Sequence, residues 1–124
     1  MFSEAAIEVA KMVICYDLQV CGEFYARELT SGKRYEVVFV VKVEDTMSRF
    51  DILAKTQLMV PEKELQEQEL QFVDLIKNEW IEIRVGAFVA RPHKEKIAFY
   101  LYQDGSEQKM TGLLIKSAII RLIN

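Results

Sequence analysis

Residues 90–99, ARPHKEKIAF, gather Arg91, His93, Lys94 and Lys96 between two apolar, aromatic runs. Upstream, WIEIRVGAFVA carries Arg84 and Phe88; downstream, KIAFYLY carries Tyr100 and Tyr102. If the two runs pair as a hairpin, pleated alternation places Arg84, Phe88, Tyr100 and Tyr102 on one non-core face, beside a tip bearing Arg91, Lys94 and Lys96. Rings that stack on bases, interleaved with cations that neutralise phosphates, make a platform for single-stranded nucleic acid, because every base has a π-face and every link a charge. Arg84, Phe88, Arg91, Lys94, Lys96, Tyr100 and Tyr102 are therefore the candidate nucleic-acid-binding residues, and Tyr25, Arg27 and Lys55 extend the face if the register allows. A plainer reading stands beside it. Aromatics pack well on any pleated surface, a tip rich in Lys and Glu is usually just solvated, and Glu82 and Glu95 dilute the patch.

Other chemistries have less to work with. His93 is the sole histidine and is expected at a hairpin tip beside Pro92 and a lysine, so hydrolase or transferase machinery is hard to build here. Neither a GxxxxGKS/T phosphate loop nor a GxGxxG dinucleotide fingerprint is present. The carboxylates of EKELQEQE cluster on an expected solvated helix face. The reading is a non-enzyme with no catalytic residue, cofactor or metal. Cys15 and Cys21 lack zinc-site spacing, and as extended chain they would stand roughly 20 Å apart, too far for the ~7 Å reach of a disulfide, so two buried thiols are expected. The net charge of −3 excludes a global basic field, though not a local basic stripe. No apolar run approaches the roughly 20 residues of a membrane helix, and MFSEAAIEVAK lacks a basic signal-peptide start, so a cytoplasmic protein without a membrane partner is expected.

The elements that would position these residues read as follows. With 51 % hydrophobic and 28 % charged residues over 124 positions, the chain is read as one domain, residues 1–124. Ser3 as N-cap and the spacing of Phe2, Ala6, Val9 and Val13 predict a helix over 4–13. DLQVCGEFYAREL, TSGK and RYEVVFVVKVED predict two strands joined as a hairpin by a tight glycine turn. RFDILAKTQLMV predicts a third strand with Phe50, Ile52, Ala54, Thr56 and Leu58 on its core side. Pro61 at a first helical position, followed by Glu62 and Glu64, predicts a helix over 61–77 with Leu65, Phe72, Leu75 and Ile76 inward. WIEIRVGAFVA alternates Ile81, Ile83, Val85, Ala87 and Val89 against Trp80, Glu82, Arg84 and Phe88, KIAFYLY returns, and LLIKSAIIRLIN closes as a buried strand. Strands and helices do not alternate, so the expected fold is mainly β (α+β): an antiparallel barrel over about 18–124, with a leading helix and one helix between the third and fourth strands.

In that arrangement the chain resembles small OB-fold proteins of the single-strand-binding or replication-accessory type. The resemblance covers residues 34–124 and rests mainly on LIKNEWIEIRVGAFVA and LLIKSAIIRLIN, similar to the strand-four region and closing strand of such domains. It implies a hairpin between strands four and five that closes over a bound single strand. The alternative from another class is a protein-interaction module or accessory subunit, pairing with a partner or a second copy through an edge strand or the leading helix. A barrel enclosing a small apolar ligand is disfavoured, because five-stranded barrels are filled by side chains.

Overall fold

The structure, a computed structural model, describes residues 7–8, 12–15, 19–25, 29–45, 53–71, 74–91, 96–103 and 113–123. Within them lie β1 (Ile7–Glu8), β2 (Met12–Cys15), β3 (Gln19–Tyr25), β4 (Arg34–Val43), β5 (Leu53–Met59), β6 (Gln66–Gln71), β7 (Trp80–Val89), β8 (Lys96–Gln103) and β9 (Leu113–Ile123). They form a four-stranded sheet in the order β1-β9-β4-β7 and a five-stranded sheet in the order β2-β3-β8-β5-β6, with every ladder antiparallel. Among the described residues no ladder joins the sheets. The expected OB-like barrel is therefore replaced by two open sheets facing each other, and no α-helix occurs among the described residues.

Both expected helices give way to strands, for identifiable reasons. Within 4–13, the described residues Ile7–Glu8 and Met12–Val13 lie in strands paired with β9 and β3. In the 61–77 stretch, Pro61 does not start a helix. It takes the second position of a turn in which Lys63 N donates to Val60 O at 3.1 Å and Glu62 adopts φ 64°, the proline-then-positive-φ pattern of a type II turn. That turn reverses the chain into β6, which pairs with β5 from Leu53↔Gln71 to Leu58↔Gln66. The helix preference of a Glu/Gln/Leu run amounts to a few tenths of a kcal/mol per residue and is overridden by the ladder.

Strand positions were more legible than strand partners. TSGK does form a tight turn, with Lys33 N donating to Thr30 O at 3.2 Å and Gly32 at φ 84°, where a side chain would be strained. It does not close a hairpin, because β3 pairs with β2 and β8 while β4 pairs with β7 and β9. The turn instead carries the chain from one sheet to the other and is pinned to the end of β7, with Gly32 N donating to Ala90 O at 2.8 Å and Ala90 N to Lys33 O at 2.9 Å. Nearly every connection crosses between sheets in this way; β2 to β3 and β5 to β6 are the exceptions.

The core lies between the sheets. Tyr35, Val37, Phe39, Val41 and Val43 of β4 face Ile97, Phe99 and Leu101 of β8 together with Ala54 and Leu58 of β5, all buried. Phe39 meets Phe99 edge-on with centroids 5.4 Å apart, and Phe24 bridges Phe88 at 5.6 Å and Phe99 at 6.2 Å. Each fully buried side chain of this size contributes roughly 1.5–3 kcal/mol, so this interleaved seam of rings and β-branched residues dominates stability. Alternation on β5 follows the sequence reading, with Ala54, Thr56 and Leu58 inward; Phe50 and Ile52 lie outside the described residues. Two substitutions test this packing. Gly22 pairs with Phe99, whose ring lies where a Cβ would go, so Gly22→Ala is expected to destabilise by about 1–3 kcal/mol in denaturant unfolding. Among the described residues the buried Thr56 hydroxyl has no hydrogen-bond partner, so Thr56→Val should stabilise by about 1 kcal/mol in the same measurement.

Candidate functional site

The sequence-predicted residues do not all share a face: the structure brings Lys96, Tyr100 and Tyr102 together on the outer side of β8 but separates them from Arg84 and Phe88. β7 lies in the four-stranded sheet and β8 in the five-stranded one, so the strands on either side of residues 92–95 do not pair as a hairpin. Arg84 points outward from the four-stranded sheet, whereas Tyr100 and Tyr102 occupy the outer face of the five-stranded sheet, on the opposite side of the molecule. Arg91 is exposed just beyond β7. Lys96 is bound to Glu23 at 2.7 Å and lies 5.8 Å from the Tyr25 ring centroid, and the Glu23 hydrogen bond raises its pKa above the usual lysine range. Lys94 and Arg27 lie outside the described residues, as does His93.

Phe88 turns inward because of a β-bulge. Val37 pairs with Gly86 but the next residue, Val38, pairs with Arg84, leaving Val85 as an extra residue on β7. The bulge shifts the alternation by one, so Phe88 is only 6 % exposed and stacks on Tyr35 at 6.0 Å, while Val89 faces solvent. A perfectly alternating sequence gives no sign of such a slip, except that Gly86 stands at its edge.

Three other constellations form instead. On the outer face of the four-stranded sheet, Arg121 donates from Nη1 and Nη2 to the two Glu82 carboxylate oxygens at 2.8 and 2.6 Å, and from Nε to Glu36 at 2.8 Å; Arg84 reaches Glu36 at 3.4 Å. The Arg121 hydrogen bonds hold the Glu82 pKa below the ordinary carboxylate value, and the two glutamates raise that of Arg121. At the end of the same face, Lys42 Nζ and Lys116 Nζ lie 5.7 and 5.8 Å from the Trp80 ring centroid. On the five-stranded sheet, Gln57 donates to Glu67 and to the Tyr102 hydroxyl at 3.1 Å, and that hydroxyl donates to Glu67 at 3.4 Å.

Beyond these three, a cleft opens where the sheets meet along β6 and β7. β7 is an edge strand, and its free backbone groups are taken up by glutamines of β6. Gln66 Nε2 donates to Ala87 O at 2.6 Å while its Oε1 accepts from Ala87 N at 3.0 Å, and Gln68 Nε2 donates to Arg84 O. An amide side chain carries one donor side and one acceptor side, so Gln66 acts as a surrogate strand residue. Gly86 makes the approach possible, since a Cβ there would lie 2.5 Å from Gln66 Oε1. Beside this seam opens a cleft of about 600 Å³ lined by Arg34, Glu67, Gln68, Arg84 and backbone of β7, and next to it a smaller pocket of about 170 Å³ with Val60, Phe88, Lys63 and Arg91. Gln66 and Gln68 were read from the sequence as the solvated side of a helix; the signal that could have found them is the strict alternation of Gln66, Gln68 and Leu70 with Glu67, Glu69 and Gln71. Among the described residues no group of three or more His, Cys, Asp or Glu side chains is placed to hold a metal, and no helix is long and apolar enough to cross a membrane.

The family model for phloem protein 2 (PP2) matches residues 2–122. The chain belongs to the phloem protein 2 family. It is 36 % identical over 123 residues to Protein PHLOEM PROTEIN 2-LIKE A2 of Arabidopsis thaliana, covering 98 % of this chain and 63 % of that protein. It is 35 % identical over 122 residues to Protein PHLOEM PROTEIN 2-LIKE A5 of the same plant, covering 96 % of this chain and 29 % of that protein. A protein named Lectin from Luffa acutangula is 27 % identical over 118 residues, covering 93 % of this chain and 55 % of that protein. The chain thus spans less than two thirds of the length of these relatives. PP2 membership overturns the OB-fold resemblance and with it the single-stranded nucleic-acid function and partner: the strand pattern resembling an OB domain belongs to a different strand order, Arg84 lies on the opposite face from Tyr100 and Tyr102, and Phe88 is buried.

The Glu82 carboxylate gives up its proton more readily in the folded chain than at its ordinary value of 4.5. Its stabilising contribution is therefore complete at neutral pH and disappears as pH falls through the lowered pKa. The network is open to solvent, which limits it to about 1 kcal/mol or less. Unfolding free energies at pH 7 and pH 3 should differ less for Glu82→Gln than for the parent protein; an identical difference in both would show that Glu82 is not coupled to Arg121.

Proposed function

We propose that this PP2-family chain binds carbohydrate, without catalysis, in the cleft along the β6–β7 seam. The observation that carries the reading is the composition of the cleft wall. Arg34, Arg84, Glu67 and Gln68, residues with both donor and acceptor groups, line one concavity of about 600 Å³, beside a Gln66 fixed by two hydrogen bonds to Ala87. A saccharide presents hydroxyls that each donate and accept, so its recognition needs both kinds of partner held still before it arrives. The volume falls within the usual range for small-ligand sites. Support from kinship comes from the relative named Lectin, matched along most of this chain.

The cleft is open and wet, so modest affinity is expected, with water-mediated contacts completing the hydroxyl set. The test is a glycan array with the parent protein, followed by calorimetry on the best ligand with Arg34→Ala and Glu67→Gln. A hydrogen bond to a charged group is worth roughly 1.5–3 kcal/mol, so each variant is expected to weaken binding about tenfold or more while keeping the β-sheet circular dichroism. Retention of full affinity by both folded variants, or no glycan bound at all, would overturn the cleft as a carbohydrate site.

A further inference from the structure

Far along β7 from the cleft, the outer face of the four-stranded sheet ends in a cluster that the carbohydrate reading leaves unused. Trp80 at the start of β7 is 46 % exposed, and Leu114 of β9, which shares Lys42 of β4 as register partner with Trp80, is 43 % exposed. Lys116 joins them because β9 also carries a bulge: Val40 pairs with Ser117 and Val41 with Ile115, so Lys116 is the extra residue between them. Lys42 Nζ and Lys116 Nζ then converge on one indole, 5.7 and 5.8 Å from its centroid.

Neither ammonium has a carboxylate within ion-pair distance among the described residues. Of the nearby carboxylates, Glu82 is occupied by Arg121, and Glu44 and Glu79, close to Lys42 and Trp80 in sequence, make no ion pair with either lysine among the described residues. Attraction to the ring π-system holds two like charges near each other without a counter-ion, which leaves a positive potential over an exposed aromatic plate. A flat CH face packs on indole and Leu114, and an oxyanion on the same molecule satisfies both ammoniums.

The geometry points to a second, charge-selective subsite at Trp80, Lys42, Lys116 and Leu114 that takes a saccharide bearing an oxyanion, a uronate or a sulfated sugar. The saccharide class rests on the carbohydrate reading above, whereas the position and the charge selectivity rest on this cluster. Because a single tryptophan occurs in the chain, intrinsic fluorescence reports on this site alone.

The experiment titrates the protein with trigalacturonate, a sulfated trisaccharide, neutral maltotriose and inorganic sulfate, following Trp80 fluorescence and, in parallel, heat of binding. A saturable fluorescence change is expected with one or both acidic saccharides, weakened about tenfold or more in Lys42→Gln/Lys116→Gln, reduced by added salt, and unaffected by Arg34→Ala. The two arms tell carboxylate from sulfate as the preferred anion. An equal change with maltotriose, the full change with inorganic sulfate alone, no change with either acidic saccharide, or an unaltered response in the double lysine variant would each overturn the subsite. Heat of binding from the acidic saccharides with silent Trp80 removes this subsite and retains the cleft; an intact Trp80 response to an acidic saccharide in Arg34→Ala, where the heat from a neutral glycan is lost, supports the two sites as separate.

Discussion

An edge strand leaves a row of backbone donors and acceptors that must be satisfied, and the way β7 meets this demand organises the rest of the molecule. Gln66 supplies a donor and an acceptor to Ala87, and Gln68 supplies a donor to Arg84 O, so side chains do at the seam what a further strand would do in a closed barrel. This draws β6 against β7 without a ladder, requires glycine at position 86, and leaves the concavity beside it lined by polar groups. Had β6 been helical, the open edge of β7 would have lacked these partners.

The outer face of the four-stranded sheet divides its charge by chemistry. Arginines, whose planar forks match a carboxylate, take Glu82 and Glu36, whereas lysines, as compact point charges on flexible stems, gather at the Trp80 ring. The net charge of −3 says nothing of this arrangement. Position in the sheet decides which cations are neutralised and which remain available. On the other side of the molecule, Gln57, Tyr102 and Glu67 form a hydrogen-bonded set whose Glu67 also lines the cleft, linking the five-stranded face to the seam.

Period-two alternation made β4, β5, β7 and β9 readable, because each has one face against the core. Partner choice was not readable: β3 and β4 are consecutive strands joined by a good turn, yet they belong to different sheets, and the same holds for β7 and β8. Adjacency along the chain was therefore a poor guide to adjacency on the surface, and Arg84 was grouped with tyrosines that face the other way. Pro61 was ambiguous because its fixed φ serves a helix start and a turn equally; the positive φ of Glu62 selects the turn, and no residue type there announces it. Phe88 was misplaced by one unpaired residue, Val85. The site residues missed, Gln66 and Gln68, were hidden because an alternating Gln/Glu run reads equally well as solvated helix.

β9 lies between β1 and β4, although it is the latest of the described strands in chain order. During synthesis β4 therefore waits with one apolar flank, Tyr35 to Val43, unpaired until residues 113–123 have left the ribosome, and β1 has no partner at all. Long-range pairing of this kind slows folding and prolongs exposure of sticky edges. The vulnerable period of this fold is thus its birth, while the four-stranded sheet is unfinished.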